Sequence, residues 1–143
     1  ATVFAVTPKF IRERSVTDYR DTIVVLMGCY GLFSRDLPQA FIDRGASVVI
    51  GWKELVSVKH TDEATLELLR KMLLDKATIG DSVSTVMSEV GPDPDHDGVL
   101  SYCPHEKGSL TFSELVTKRF LQAASCNPFQ FSTRWRLYRS SNR

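Results

Sequence analysis

The stretch from Asp21 to Trp52 (DTIVVLMGCYGLFSRDLPQAFIDRGASVVIGW) constrains the fold more than any other part of the chain. Thr22 to Met27 is apolar throughout. A strand buried on both faces has this composition, and such strands occur mainly in parallel sheets covered by helices. Asp21 and Gly28 punctuate it. From Asp36 to Arg44, Leu37, Ala40 and Phe41 recur at helical spacing. Pro38 falls in the first turn, where its missing N–H costs nothing, and Gly45 follows as a C-terminal cap. Ser47 to Ile50 is a second apolar run. Two buried strands joined by one helix in so short a unit imply a right-handed parallel crossover.

The remainder is read around this unit. Thr2 to Val6 is short, apolar and β-branched, which predicts a strand ended by Thr7-Pro8. Phe10 to Tyr19 is charged and irregular, helix or loop. Thr61, with Asp62 and Glu63 after it, has the pattern of an N-cap and acidic first turn. A helix is expected from about Asp62 to Asp75, with Leu66, Leu69, Met72 and Leu73 on one stripe. Thr78 or Asp81 opens a second helix, with Val83, Val86, Met87 and Val90 on one face and Gly91-Pro92 ending it. Gly91 to Gly98 is a loop and Val99 to Tyr102 a short strand. Ser109 or Thr111 caps a helix through Ala123 or Ala124. Phe129 to Tyr138 alternates, with Phe129, Phe131, Thr133, Trp135 and Leu137 on one face, as a half-buried strand does.

Length and composition bound the class. The chain has 143 residues, 43% hydrophobic and 24% charged, which suits one soluble α/β domain or a piece of one. No run reaches the roughly 18 apolar residues that span a bilayer, and the first residues lack a signal-peptide pattern, so no membrane partner is expected. Cys29, Cys103 and Cys126 are an odd number without metal-type pair spacing. Free thiols in a reducing, cytoplasmic setting are expected, with no metal and no cofactor. The first residue is not Met, which suggests a processed chain or an excised fragment.

Charge is uneven although the net value is +1. From Ser109 onward Lys118, Arg119, Arg134, Arg136, Arg139 and Arg143 face Glu114 alone. Such a tail is either a solvated terminus or a contact for nucleic acid, an acidic partner or a membrane surface. Nucleic acid is disfavoured, because alternation places Trp135 on the face opposite Arg134 and Arg136, where it cannot stack beside them.

Cys29 carries the one suggestion of chemistry. It lies at the C-terminal end of the first apolar strand, the rim of an open α/β sheet where ligands gather. Gly28 and Gly31 would allow close approach of a substrate and leave amides available. A thiolate there is either the nucleophile of acyl transfer or an inert core residue. His60, after the second strand, is on the same rim, either as a base for that thiol or as a helix-opening residue. Asp93-Pro-Asp-His-Asp-Gly98 begins as a calcium loop begins, but Pro104 stands where a bidentate Glu is needed, so a solvated turn competes with a cation site.

The order of VVLMGCYG (Val24 to Gly31), LPQAFIDRGASVVIGW (Leu37 to Trp52) and TDEATLELL (Thr61 to Leu69) resembles the second half of a caspase-like cysteine peptidase domain, the group with gingipains, separase and CHAT domains. The resemblance runs from Thr22 to about Leu74 and is nearest to CHAT-type domains. It implies a three-layer sandwich with a mainly parallel sheet and helices on both faces. It places the nucleophile at Cys29, with the Cys29 amide in the oxyanion hole beside a glycine amide from Gly28 or Gly31. It also implies a catalytic histidine on a strand before the cysteine, yet this chain has no His before His60. The expected partners are a peptide or protein substrate and a histidine-bearing N-terminal half. Residues 1–125 are read as the caspase-like portion and 126–143 as a basic strand or tail. The alternative is a non-catalytic α/β interaction module with a structural Cys29 and a partner-binding tail.

Overall fold

The computed structural model describes residues 6–16 and 18–115. The expected strand at Thr2 to Val6, the helix beyond residue 115, Cys126 and the Phe129 to Tyr138 strand lie outside the described residues, Val6 excepted.

The βαβ unit forms as its pattern requires. Strand β1 (Ile23–Leu26), helix α2 (Asp36–Asp43) and strand β2 (Val48–Trp52) follow a short helix α1 (Pro8–Arg14). β1 and β2 are parallel, with Ile23 opposite Val48 and Leu26 opposite Gly51. Strand β3 (Leu100–Cys103) pairs antiparallel on the other side of β2, so the sheet of described residues is mixed, in the order β1-β2-β3. Parallel pairing therefore holds for the first pair only.

β2 is the centre of the molecule, and all five of its residues are buried. Alternation sends its side chains to two separate cores. Val48, Ile50 and Trp52 pack with Ala64, Leu68 and Met72 of helix α3 (Val58–Leu73) and Ile79, Val83 and Val86 of helix α4 (Ile79–Glu89). Val49 faces the opposite way, with Ile11 of α1 and Ala40 and Phe41 of α2. Helices thus cover both faces of the sheet. Charged ties join neighbours within each layer: Arg12 Nε lies 3.0 Å from Asp43 Oδ2, and Lys71 Nζ lies 3.1 Å from Glu89 Oε2.

Three sequence expectations are corrected by packing. β1 is half-buried along its length rather than buried on both faces, because no described strand flanks its outer edge. Helix α3 starts a turn earlier than Thr61, with Ser57 at the N-cap position. Its buried face is His60, Thr61, Ala64, Leu68 and Met72, while Leu66 is 70% exposed and Leu69 and Leu73 are also exposed. A leucine-rich helix offers two apolar stripes of similar period, and the one beneath Trp52 is the one that is covered.

The second helix follows its local signals. Thr78 caps α4 by accepting from Asp81 N at 3.1 Å. A capping box opens the segment at Thr111: Thr111 Oγ1 accepts from Glu114 N, and Thr111 N donates to Glu114 Oε2 at 2.8 Å.

Candidate functional site

Parallel pairing brings the C-terminal ends of β1 and β2 to one rim. The chain leaves β1 through Met27 into the turn bearing Gly28 and Cys29, and leaves β2 through Trp52 into the loop ending at Ser57. The two segments are stitched together. Tyr30 N donates to Glu54 O at 2.9 Å and Leu32 N to Trp52 O at 2.8 Å. Tyr30 takes a left-handed φ of 59°, a conformation uncommon for a residue with a Cβ.

Cys29 is exposed on this turn. Its sulfur lies against the backbone of Val56, donating to Val56 O at 3.4 Å and accepting from Val56 N at 3.5 Å. The Gly28 and Cys29 amides bond to no carbonyl or side chain among the described residues. The two glycines differ in their surroundings. A Cβ on Gly28 would meet nothing within 4 Å, whereas one on Gly31 would press on Leu26 Cβ at 2.9 Å. Gly28 thus borders open space, and Gly31 lets the turn fold down onto β1. Met27, Tyr30 and Phe33 are exposed beside the cysteine, with the Tyr30 and Phe33 rings edge to face at 5.3 Å.

His60 is in the first turn of α3 and is buried. Its ring lies 5.5 Å from that of Trp52, and its Nε2 is 3.1 Å from Gly91 O. The hydrogen-bond partners of the Cys29 sulfur are both groups of Val56, so His60 and Cys29 sit around the same rim with separate partners. His96 and His105 lie elsewhere: the His96 amide donates to Asp93 Oδ1, and His105 packs on Tyr102.

Asp93, the first residue of the calcium-like loop, is fully buried. One carboxylate oxygen accepts from Ser57 N at 2.8 Å and Ser57 Oγ at 2.7 Å. The other accepts from Asp95 N at 3.0 Å and His96 N at 2.9 Å. Four protein donors therefore occupy the carboxylate that a cation would need. Among the described residues, no group of three or more His, Cys, Asp or Glu side chains is arranged to hold a metal ion. Burial pushes the Asp93 carboxyl up, and the donors outweigh it, bringing its pKa down to about 2.

Two residues of this rim were invisible to sequence reasoning in these roles. Thr61, expected as a cap, is buried and accepts from Trp52 Nε1 at 2.8 Å while donating to Met27 O at 2.9 Å. Asp93 serves the N-terminus of α3 from a loop far along the chain. The Thr-Asp-Glu pattern marked a helix start but carried no sign of these partners.

No helix among the described residues is long and apolar enough to cross a membrane. Scans of protein-family models, curated proteins and solved structures found no match to this chain.

Proposed function

We propose that the chain is the nucleophile-bearing part of a caspase-like cysteine peptidase, with Cys29 as the nucleophile. The observation that carries this reading is an exposed thiol at the C-terminal end of a parallel strand, next to the amides of Gly28 and Cys29, which have no partner among the described residues. A thiolate there adds to a peptide carbonyl carbon, and the oxygen that becomes negative faces those two N–H groups. The Val56 amide, a donor to the sulfur, steadies charge on the attacking atom. The amine then leaves with the proton the base took from the thiol, and water cleaves the thioester to a carboxylic acid and free thiol. Exposed Met27, Tyr30 and Phe33 give the substrate an apolar rim. The resemblance assigns the base to a histidine on a strand before the cysteine, and the three histidines of this chain all follow Cys29. On this reading the base comes from outside these 143 residues; His60 donates Nε2–H to Gly91 O, which leaves Nδ1 as its one proton acceptor.

The test is site-resolved alkylation with iodoacetamide at pH 7 in the full-length protein, where the base is present, followed by peptide mapping. The peptidase reading expects Cys29 to react faster than the same thiol in the urea-unfolded chain. A folded-state rate no greater than the unfolded one removes the nucleophile and the reading with it.

A second reading, an interaction module, is favoured by the exposed row of Leu66, Leu69 and Leu73 along α3, continued by Leu74 at its C-cap. Apolar rows of this kind mark contact surfaces. Replacing Leu66 and Leu73 with Glu would improve solubility without affecting Cys29 chemistry if the row is an unmet interface.

A further inference from the structure

We infer that Thr61 is a positioning residue for the proposed acyl-transfer site, setting the direction of the Gly28 amide; this rests on the peptidase reading above. Thr61 stands in the first turns of α3 and is 5% exposed, beneath a fully buried Trp52. The indole N–H can only donate, so the bond from Trp52 Nε1 occupies a lone pair of the Thr61 hydroxyl. The hydroxyl proton is thereby directed to its other partner, Met27 O, at 2.9 Å.

Met27 O belongs to the peptide unit that precedes Gly28. That unit is planar and trans, so its C=O and the Gly28 N–H point in opposite directions within one plane. Holding the carbonyl fixes the line of the amide. Little else fixes it: a glycine has the widest choice of backbone angles, and open space surrounds the place of a Gly28 Cβ. The contacts of the Cys29 sulfur to Val56, at 3.4 and 3.5 Å, hold the side chain one residue further on. The chain Trp52–Thr61–Met27 thus ties the Gly28 donor to a fully buried ring of the core.

Acylation and alkylation separate this role from a merely structural one. With p-nitrophenyl acetate the thiolate displaces p-nitrophenolate and becomes an acetyl thioester through a tetrahedral oxyanion. With iodoacetamide it displaces iodide and no oxyanion forms. The quantity read is the ratio of the two rates at Cys29, located by peptide mapping in the full chain. In the wild type this ratio should exceed that of the urea-unfolded chain. Thr61→Val should lower it by about tenfold or more, within the loss that follows removal of an oxyanion donor. Alkylation of Cys29 should change less than twofold, and Thr61→Ser should restore the ratio. A wild-type ratio equal to the unfolded value overturns both this inference and the peptidase reading. A raised wild-type ratio that survives Thr61→Val overturns the positioning role alone. Thr61→Ala, which places no methyl against Met27 O, is the second variant. If neither variant gives a cooperative melt, Thr61 is a structural residue and the inference falls.

Discussion

Asp93 accepts hydrogen bonds from both the amide and the hydroxyl of Ser57, 36 positions earlier in the chain, at 2.8 and 2.7 Å. The pair closes the N-terminus of α3 and anchors the loop whose Val56 holds the Cys29 sulfur. A carboxylate that the sequence offers as a cation ligand is instead a tie between two loops, and it sits one bonded segment away from the candidate nucleophile.

That tie should make stability acid-sensitive. The folded pKa of Asp93, about 2, lies below its ordinary value of 3.8. A depressed carboxylate adds stability above its unfolded pKa and loses it as pH falls through the folded one. The melting temperature should therefore drop between about pH 4 and pH 2 through this group. Asp93→Asn keeps one acceptor oxygen but sets an NH2 against either the Ser57 donors or the Asp95 and His96 amides. It should melt several degrees lower at pH 7 and respond less to acid below pH 4. Equal melting at pH 7 would remove the tie.

Calcium should leave the melting temperature unchanged at millimolar concentration, since the Asp93 oxygens are committed to four donors. Gly98 has another reason to be glycine. A Cβ there would collide with the backbone oxygen of Leu55. Gly98→Ala should destabilise the fold with or without calcium, as differential scanning calorimetry would read. A calcium-dependent rise in the wild type would return the loop to metal binding.

The two leucine stripes of α3 predict opposite costs. Leu68 is fully buried among Ile50, Trp52 and Met72, and Leu68→Ala should cost about 2–5 kcal/mol in urea unfolding. Leu66→Ala, on the exposed side, should change stability by about 0.5 kcal/mol or less. Reversed values would mean that α3 is rotated on the sheet.

Cys103 provides an internal reference for Cys29. Burial pushes the Cys103 thiol up, and the nearby Glu106 carboxylate adds to the shift. Its thiolate fraction at pH 7 is therefore below that of an ordinary thiol. Iodoacetamide should label Cys29 ahead of Cys103 at pH 7, and the Cys103 rate should climb only at more alkaline pH than a free cysteine shows. Mass spectrometry of the two peptides across pH 6 to 10 checks this, and preferential labelling of Cys103 at pH 7 would contradict it.

Where a signal and its partner are close in sequence, the pattern and the structure agree. The apolar run around Ile23–Leu26, the Pro38 helix and the run around Val48–Trp52 form a βαβ unit, because period and turn chemistry act over a few residues. Thr78 caps α4 and Thr111 opens a capping box for the same reason. The start of α3 departs from its Thr-Asp-Glu signal because distant residues take over. The Ser57 hydroxyl bonds to Asp93 rather than to the helix, and Thr61 is drawn inward by Trp52 and Met27.

By itself the sequence determined an α/β chain with a parallel crossover and a cysteine just beyond the end of β1. Both follow from local hydrophobic periodicity and turn residues, which act whatever surrounds them. The tertiary structure decided the antiparallel pairing of β3, the buried face of α3, and the roles of Thr61 and Asp93. Each depends on a partner tens of residues away: apolar contacts beneath the sheet for α3, and a hydrogen-bonding group for β3, Thr61 and Asp93. Pairing of buried polar groups is strict in energy but leaves no periodic trace along the chain, and the two leucine stripes of α3 leave traces too alike to tell apart.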